Sequence, residues 1–272
     1  MAAQRPPVVP NIEPSPTTSI TYQLKMATKL AQRQERAQEA SLESATVEIT
    51  QVCRVGHTTA AITFYNMDIS FPRTQNKWTI SKRYSDFYNL RRTLGHLVQQ
   101  THRQHSHWLP VKLVSDATSA AFPRRHLRRD NLAIIHERRT ALQTFVQALV
   151  KIMCSFPPNV KLHGPLATLH MLLQEFLQFP DEQLHKHAKQ TLAILALEDV
   201  VVGSSTSEIH TDASSSECCS ICLGEWNEDE CANMHVVKLP CSHVFHEECV
   251  IDWLGVSSEC PLCRAEAATL RS

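Results

Sequence analysis

The sequence lacks a net charge and any long apolar run. Its 272 residues carry 27 Lys and Arg against 27 Asp and Glu, so the formal charge at neutral pH is zero. No stretch approaches the ~20 consecutive apolar residues needed to span a bilayer, which leaves peripheral association with a membrane. No secretory signal opens the chain, so we expect its ten cysteines to be reduced rather than joined in a disulfide framework.

Composition divides the chain into segments. The first residues are rich in proline, serine and threonine, which is typical of a disordered tail. The next stretch has a helical composition and is expected to pack on a domain, to bind a partner helix or to stay solvated. The predicted organisation is a disordered tail at 1–21, a helical segment at 22–45, a folded domain at 46–180, a partly helical then flexible linker at 181–215, a zinc-binding module at 216–266 and a tail at 267–272.

The apolar pattern between residues 46 and 180 is that of an α+β domain. Short β-branched and apolar runs predict strands at 47–52, 59–65 and 77–81. Apolar residues at helical spacing predict helices at 84–99, 130–154 and 165–178. Three strands followed by helices favour a small antiparallel sheet with the helices packed on it.

Near the C-terminal end, eight side chains that bind metals follow a regular spacing. In chain order they are Cys219, Cys222, Cys241, His243, His246, Cys249, Cys260 and Cys263. Thiolates and neutral imidazoles are preferred by Zn²⁺ in closed tetrahedral sites, and eight ligands suffice for two ions. So small a module buries little apolar surface, so metal binding must supply folding free energy. The spacing alone leaves open whether the four ligand pairs are used consecutively or interleaved.

This stretch resembles the RING finger in its two-histidine form. The resemblance implies a cross-brace, in which the first ligand pair joins the third and the second joins the fourth. It therefore places Cys219, Cys222, His246 and Cys249 on one zinc ion, and Cys241, His243, Cys260 and Cys263 on the other. Both ions would be structural, because protein ligands fill every coordination position. Cys218 is an alternative to Cys219, but only Cys219 leaves a two-residue gap before Cys222.

In RING ubiquitin ligases an apolar groove beside the metals binds the ubiquitin-conjugating enzyme. The matching residues here are Ile221, Trp253, Pro261, Leu262 and Arg264. The resemblance implies that Arg264 bonds both the conjugating enzyme and its ubiquitin, since a guanidinium can serve two acceptors. It implies no catalytic residue on this chain, because the ligase acts by orienting the ubiquitin thioester toward a substrate lysine. The alternative is that Trp253 only packs the core of the finger.

A second resemblance appears at the third predicted strand. The strand ends in Arg-Tyr, and an acidic residue, Phe and Leu follow on the next helix, as in the phox-homology (PX) domain. The residues that carry this hallmark are Arg83, Tyr84, Asp86, Phe87 and Leu90. Further similarity in the same order lies at 122–125 and 135–142. The resemblance covers about half the chain and implies a three-stranded antiparallel sheet with a helical subdomain.

The PX resemblance implies a binding site for phosphatidylinositol 3-phosphate. Arg83 would bind the 3-phosphate through a bidentate fork, and Tyr84 would lie against the inositol ring. Arg125 would meet the 1-phosphate and Arg138 the ring hydroxyls. The alternative is that the arginines form a solvated basic face and Tyr84 belongs to the core. Nearby, an apolar cluster at 101–121 would either insert between lipid headgroups or pack on the domain's own helices.

Together the resemblances imply a cytoplasmic RING-type ubiquitin ligase that is peripheral on endosomal membranes. Its expected partners are a conjugating enzyme loaded with ubiquitin, a protein substrate and membranes containing phosphatidylinositol 3-phosphate. The alternative is a non-enzymatic sorting or scaffold adaptor that uses the finger for protein interaction. Nucleic-acid binding is not expected, because the net charge is zero and the RING pattern lacks a base-reading helix.

Overall fold

The computed structural model describes nine parts of the chain: residues 29–33, 35–36, 45–55, 62–105, 108–126, 130–158, 161–200, 218–224 and 236–268. The predicted disordered tail and the Ser- and Thr-rich part of the predicted linker lie outside the described residues. Within the predicted helical segment, residues 29–33 and 35–36 are helical, and we call them the N-terminal helical segment. No helix in the described part of the chain is both long and apolar enough to span a bilayer.

The first folded unit is built on a three-stranded antiparallel sheet in the order β1-β2-β3. The strands are β1 (Thr46–Val55), β2 (Ile62–Phe71) and β3 (Asn76–Arg83). In β2 alternate side chains are buried, because successive residues of a strand point to opposite faces of the sheet. The strand continues past its predicted end, since Met67, Ile69 and Phe71 keep that alternation.

Five helices follow the sheet. They are α1 (Tyr84–His105), α2 (Leu109–Ser119), α3 (Leu132–Cys154), α4 (Gly164–Leu177) and α5 (Asp181–Leu195). Helix α3 begins where Asn131 accepts a hydrogen bond from the Ile134 amide at 2.9 Å, as an N-cap residue does. The core between sheet and helices contains fully buried side chains such as Leu94, Leu142 and Leu173. The predicted α+β fold is confirmed.

Helix α2 occupies the region in which the apolar cluster at 101–121 was noted. Pro110 stands in its first turn, where a missing N–H costs no hydrogen bond. Val111 and Val114 are buried, and Val114 belongs to the main core. Val111 and Val114 therefore pack on the domain and are not available for insertion between lipid headgroups, whereas Leu109 is 40% exposed.

The second unit is the finger. It contains β5 (Val236–Lys238), β6 (Val244–His246) and α6 (Glu247–Leu254), and its small core includes Val237, Leu239 and Phe245. A short strand before the finger, β4 (Glu198–Asp199), extends its sheet in the order β4-β5-β6. Ala267, which falls in the predicted C-terminal tail, is 1% exposed and belongs to the same core. The finger thus recruits residues on both sides of its predicted bounds.

Helix α5 packs on both units. At its beginning, the Gln183 side chain accepts hydrogen bonds from Thr74 Oγ1 at 2.8 Å and Asn76 Nδ2 at 2.7 Å. Its end supplies Ala193 and Ile194 to the core of the finger. The sequence predicted a partly helical linker here, and α5 occupies its first half. In the structure, residues 181–200 are folded and contact both units. Side chains in both halves of the helix are buried.

Other polar contacts support the same arrangement. Within α5, Gln190 donates to the Gly255 carbonyl at 3.1 Å, and Lys189 pairs with Glu266 at 3.0 Å. From the turn between β2 and β3, Arg73 reaches Asp252 of α6 at 3.7 Å. Polar contacts from two separate segments, α5 and the turn between β2 and β3, therefore hold the finger against the first unit.

Candidate functional site

The eight metal-binding side chains form two groups in the structure. The first group is Cys219, Cys222, His246 and Cys249, and the second is Cys241, His243, Cys260 and Cys263. Within each group all ligand atoms lie within 4.8 Å of one another. The structure therefore has the interleaved arrangement that the RING resemblance implied, and not two consecutive fingers.

The geometry of both groups fits a tetrahedral zinc ion. Cys222 Sγ lies 3.3 Å from His246 Nδ1, and His243 Nδ1 lies 3.3 Å from Cys241 Sγ and 3.7 Å from Cys260 Sγ. With Zn–S near ~2.3 Å and Zn–N near ~2.1 Å, a tetrahedron separates sulfur from nitrogen by about 3.6 Å. Three thiolates and one imidazole are a donor set of closed structural sites. Each group can therefore hold one zinc ion.

Two matching turns present the outer cysteine pairs. Leu223 donates from its amide to the Cys219 carbonyl at 2.7 Å, and Arg264 donates to the Cys260 carbonyl at 3.0 Å. Both Leu223 and Arg264 have left-handed backbones, with φ of 61° and 59°. This conformation is costly for residues other than glycine. Metal coordination by the neighbouring cysteines offsets that cost, since the turn brings both sulfurs of a pair to one ion.

The individual cysteine thiols of the metal groups differ in pKa. Burial raises the pKa of Cys249 to about 12 and that of Cys241 to about 11. The pKa of Cys263 is lowered, first by a hydrogen bond from the Ala265 amide. Thiolates are the species that bind zinc, so metal binding must release protons from the two less acidic thiols. Acid therefore weakens metal binding.

An apolar surface lies beside the metal groups. Trp253 on α6 is 41% exposed, and its indole donates to the Glu259 carbonyl at 2.9 Å. Leu262 is 48% exposed, whereas Ile221 is half-buried and packs against the core of the finger. The interpretation of Trp253 as a core residue does not hold, because its ring is open to solvent. Of the remaining residues assigned to this surface, Pro261 is half-buried and Arg264 is exposed.

Sequence reasoning missed one exposed apolar residue that adjoins a metal ligand. Leu223 follows the second ligand directly and is 75% exposed. Its position mirrors that of Arg264 after the last ligand, because the two cysteine turns have the same backbone path. The signal available in the sequence was an apolar residue directly after a pair of metal ligands.

In the first unit, Tyr84 is the centre of a cluster of aromatic and cationic side chains. Its hydroxyl donates to the Pro123 carbonyl at 2.7 Å, and the Arg138 guanidinium lies 3.7 Å from the centre of its ring. Arg125 lies 5.8 Å from the ring centre of Tyr88, which neighbours Tyr84 with the ring centres 6.3 Å apart. The structure therefore brings Tyr84, Arg125 and Arg138 together, and we call this group the Tyr84 cluster.

Arg138 is a buried member of the Tyr84 cluster. It is 3% exposed, and its Nη1 pairs with Asp130 Oδ1 at 2.7 Å. Its Nε has no hydrogen-bond partner among the described residues. A buried guanidinium needs a countercharge, which explains the role of Asp130. No local pattern pointed to Asp130, which adjoins the arginine-rich stretch.

Arg83 lies at the surface next to this cluster. Its side chain is 46% exposed, and its Nη2 pairs with Asp86 at 3.3 Å. The Arg83 amide also donates to Asp86 at 2.8 Å, at the start of α1. Asp86, the acidic residue of the Arg-Tyr motif, thus accepts a hydrogen bond from a backbone N–H and forms an ion pair with the Arg83 side chain. Arg83 pairs with Asp86 in this structure, whereas Arg138 contacts the Tyr84 ring.

Comparison with known families finds two matches. The family described as the PX domain matches residues 72–180, and the family described as the Ring finger domain matches residues 217–264. Strands β1 and β2 precede the stretch matched to the PX family. A designed CISK-PX domain of known structure has 19% sequence identity, covers 46% of this chain and 94% of its own, and has a TM-score of 0.30.

Three curated relatives match over 50 to 57 residues, about the length of the finger. E3 ubiquitin-protein ligase RNF181 of Xenopus tropicalis is 47% identical over 51 residues, which are 19% of this chain and 30% of that protein. E3 ubiquitin-protein ligase Iruka of Drosophila melanogaster is 48% identical over 50 residues, 18% of this chain and 12% of that protein. The Praja-2 ligase of Mus musculus is 44% identical over 57 residues, 21% of this chain and 8% of that protein.

The matched residues span less than a third of the length of each of these relatives. The RING match contains all eight residues of the two metal groups, and the PX match contains the whole Tyr84 cluster and Arg83. The chain therefore carries a PX domain followed by a RING finger of the two-histidine form.

Proposed function

We propose that this protein is a RING-type ubiquitin ligase that its PX domain recruits to membranes. The observation that carries the proposal is the exposure of two apolar side chains, Trp253 and Leu262, next to the ligands of two complete zinc-binding groups. An exposed tryptophan among apolar neighbours is typical of an interface hot spot. The finger relatives are named as E3 ubiquitin-protein ligases, which gives this surface a specific partner, the ubiquitin-conjugating enzyme.

The residues of the finger act by binding and orientation. Zinc, when bound, holds the two cysteine turns and the start of α6 in one rigid unit. Ile221, Trp253, Pro261 and Leu262 bind the conjugating enzyme. Arg264 is exposed beside them, and its guanidinium donates to the enzyme and to its ubiquitin. The thioester is thereby held in a reactive orientation for a substrate lysine, which lowers the entropic part of the barrier.

The Tyr84 cluster and Arg83 bind phosphatidylinositol 3-phosphate, which places the protein on endosomal membranes. Arg83 exchanges the Asp86 carboxylate for the 3-phosphate, because a phosphate with several oxygens accepts a bidentate bond. Arg125 binds the 1-phosphate, and Tyr84 supports the inositol ring. Arg138 keeps its ion pair with Asp130 through Nη1, and its Nε has no partner within the described part of the chain. That donor is the one it offers to the ring hydroxyls.

A reconstituted ubiquitin assay tests the finger. Purified full-length chain is mixed with activating enzyme, conjugating enzyme, ubiquitin and ATP, and autoubiquitination is measured. We expect activity that Trp253→Ala reduces by about tenfold or more with unchanged zinc content. Met171→Ala is the matched control, because Met171 is also an exposed apolar residue, on α4 of the PX domain.

The outcome separates the ligase from the adaptor. A zinc-loaded chain that promotes no ubiquitin transfer with any conjugating enzyme would leave the adaptor as the remaining function. Vesicles of phosphatidylcholine with and without phosphatidylinositol 3-phosphate test the PX domain in the same assay. Binding to both kinds of vesicle with equal affinity would contradict the proposed lipid.

A further inference from the structure

A buried network of ionic hydrogen bonds joins the N-terminal helical segment to the finger. Arg33 Nε donates to Glu247 Oε1 and its Nη2 to Asp199 Oδ1, each at 2.6 Å. Its Nη1 donates to the Leu197 carbonyl, also at 2.6 Å. The side chains of Arg33 and Glu247 are only 4% and 5% exposed. One guanidinium thus satisfies three acceptors from two other elements.

Two weaker pairs surround this network at the surface. Lys29 lies 2.8 Å from Asp199, and Arg36 lies 3.7 Å from the second oxygen of Glu247. Both cations are more exposed than Arg33, at 32% and 46% of their side chains. Solvent screens such pairs, so they contribute little compared with the buried pair. The central contact is therefore that of Arg33.

The acceptors of Arg33 lie at structurally important points of the finger. Glu247 is the first residue of α6, the helix that carries the ligand Cys249 and the docking residue Trp253. Asp199 belongs to β4, which pairs with β5 and so extends the finger's sheet. Arg33 therefore joins the start of the docking helix to the edge of the sheet.

We propose that Arg33 is a positioning residue of the ligase, and that the N-terminal helical segment is a working part of the finger. This inference rests on the proposed function. By neutralising Glu247, Arg33 holds α6 in the orientation in which Trp253 meets the conjugating enzyme. Trp253 and Leu262 are exposed while Arg33 contacts the finger. The N-terminal helical segment therefore does not cover the docking residues, and the state in which it is bound is the active one.

The physical reason is the cost of an unpaired buried charge. Removal of Arg33 leaves the Glu247 carboxylate without its buried countercharge. The carboxylate then keeps only the more exposed Arg36 at 3.7 Å, and it regains solvation as the start of α6 moves outward. Zinc would still hold His246 and Cys249, so the expected defect is a change in helix orientation rather than loss of the finger.

The test uses three variants of the zinc-loaded full-length chain. Arg33→Met removes the charge and keeps an apolar stem of similar length. Arg36→Met is the matched control in the same segment, with an exposed cation removed. The double variant Arg33→Met with Glu247→Gln removes both buried charges together. Zinc content, amide hydrogen exchange of α6 and discharge of ubiquitin from the conjugating enzyme to free lysine are measured for each.

We expect Arg33→Met to retain two zinc ions while its α6 amides exchange faster. The concentration of conjugating enzyme at half-maximal discharge should rise by about tenfold or more, with little change in the maximal rate. Arg36→Met should resemble the parent. The double variant should recover most of the parent's affinity, because no uncompensated charge remains, whereas general damage to the fold would not be reversed by a second substitution.

Three results would overturn the inference. Unchanged exchange and unchanged discharge in Arg33→Met would show that the contact does not position α6. Loss of zinc in this variant would make Arg33 a folding residue. Failure of the double variant to recover would mean that charge compensation is not the cause. If the parent itself discharges no ubiquitin, the proposed function fails, and the exchange measurement still decides whether Arg33 holds α6.

Discussion

The Arg138 guanidinium lies 3.7 Å from the centre of the Tyr84 ring, and both residues are buried in the PX domain. A cation over an aromatic face is attracted by the ring quadrupole, more strongly when water is excluded. Arg138 thus holds the tyrosine of the proposed lipid site. Arg83, from the same predicted site, has 46% of its side chain exposed. The two arginines should therefore respond differently to substitution.

Arg83→Ala should weaken lipid recruitment with little effect on stability. The side chain is at the surface and its pair with Asp86 is a screened i,i+3 contact, so its loss costs the fold less than about 1 kcal/mol. Affinity for vesicles with phosphatidylinositol 3-phosphate should fall by about tenfold or more, because a bidentate phosphate contact is lost. Sedimentation with vesicles and thermal unfolding measure the two effects.

Arg124→Ala is the control for that experiment, since Arg124 is an exposed neighbour of Arg125. It should weaken vesicle binding only through net charge, by a similar amount for any anionic lipid. Equal binding of parent and Arg83→Ala to the phosphoinositide would show that the assigned pocket is wrong.

Arg138→Ala should destabilise the PX domain. The substitution leaves Asp130 without its 2.7 Å partner and removes the cation from the Tyr84 ring. Breaking a buried ion pair on one side costs about 3 kcal/mol or more. Urea unfolding, monitored by a spectroscopic signal from the PX domain, measures the change in the free energy of unfolding. A loss of lipid binding at unchanged stability would instead assign Arg138 a direct role in binding alone.

Removal of zinc should unfold the finger and loosen the end of α5. Structural zinc contributes about 10–16 kcal/mol in finger peptides, which exceeds what the small core can supply. Ala193 and Ile194 pack in that core, whereas Gln183 is bonded to the PX domain. After chelation, hydrogen exchange should rise in the second half of α5 and stay low in β2. Uniform protection of the whole helix would contradict the shared packing.

Acid should weaken the attachment of α5 through His187. Burial lowers the pKa of His187 from its usual 6.5, although the hydrogen bond with the Cys154 carbonyl at 2.8 Å opposes the shift. Below pH 6.5 the unfolded chain therefore binds more protons than the folded one. Stability is present above that pH and falls as the pH decreases toward the lowered pKa. For one group the slope reaches at most about 1.4 kcal/mol per pH unit.

His187→Gln separates this effect from the acid sensitivity of the zinc ligands. The glutamine amide can still donate to the Cys154 carbonyl but does not titrate. Free energies of unfolding at about pH 7.5 and about pH 5.5 should differ more in the parent than in the variant. Identical losses in both proteins would exclude His187 as the titrating group.

Local pattern predicted the regular elements of the PX domain well. Helix α3 was expected at 130–154 and runs from Leu132 to Cys154, because its apolar stripe and the Asn131 cap are local features. Helix α2 was not predicted, because the stretch at 101–121 was interpreted only as an apolar cluster. Helix α5 lies in the first half of the predicted, partly helical linker, but a mixed composition does not reveal that two opposite partners bury the same helix.

The candidate site also combines features that the sequence predicted with features that only the structure revealed. The RING resemblance correctly implied the interleaving of the two metal groups, which spacing alone had left open. Exposure of Trp253, burial of Arg138 and the pairing of Arg83 with Asp86 were accessible only from the structure. Each depends on which neighbour covers a side chain, and periodicity within one element does not contain that information.

The amino-acid sequence by itself determined the order of the two modules, the alternation of the sheet and the eight ligands, because each is written in local spacing. Tertiary structure alone decided that the modules are joined. Arg33 and Glu247 are 214 positions apart and meet in a buried ion pair, and α5 lies between the two cores. Such contacts arise when distant elements exclude water together, so their free energy exists only in the folded chain.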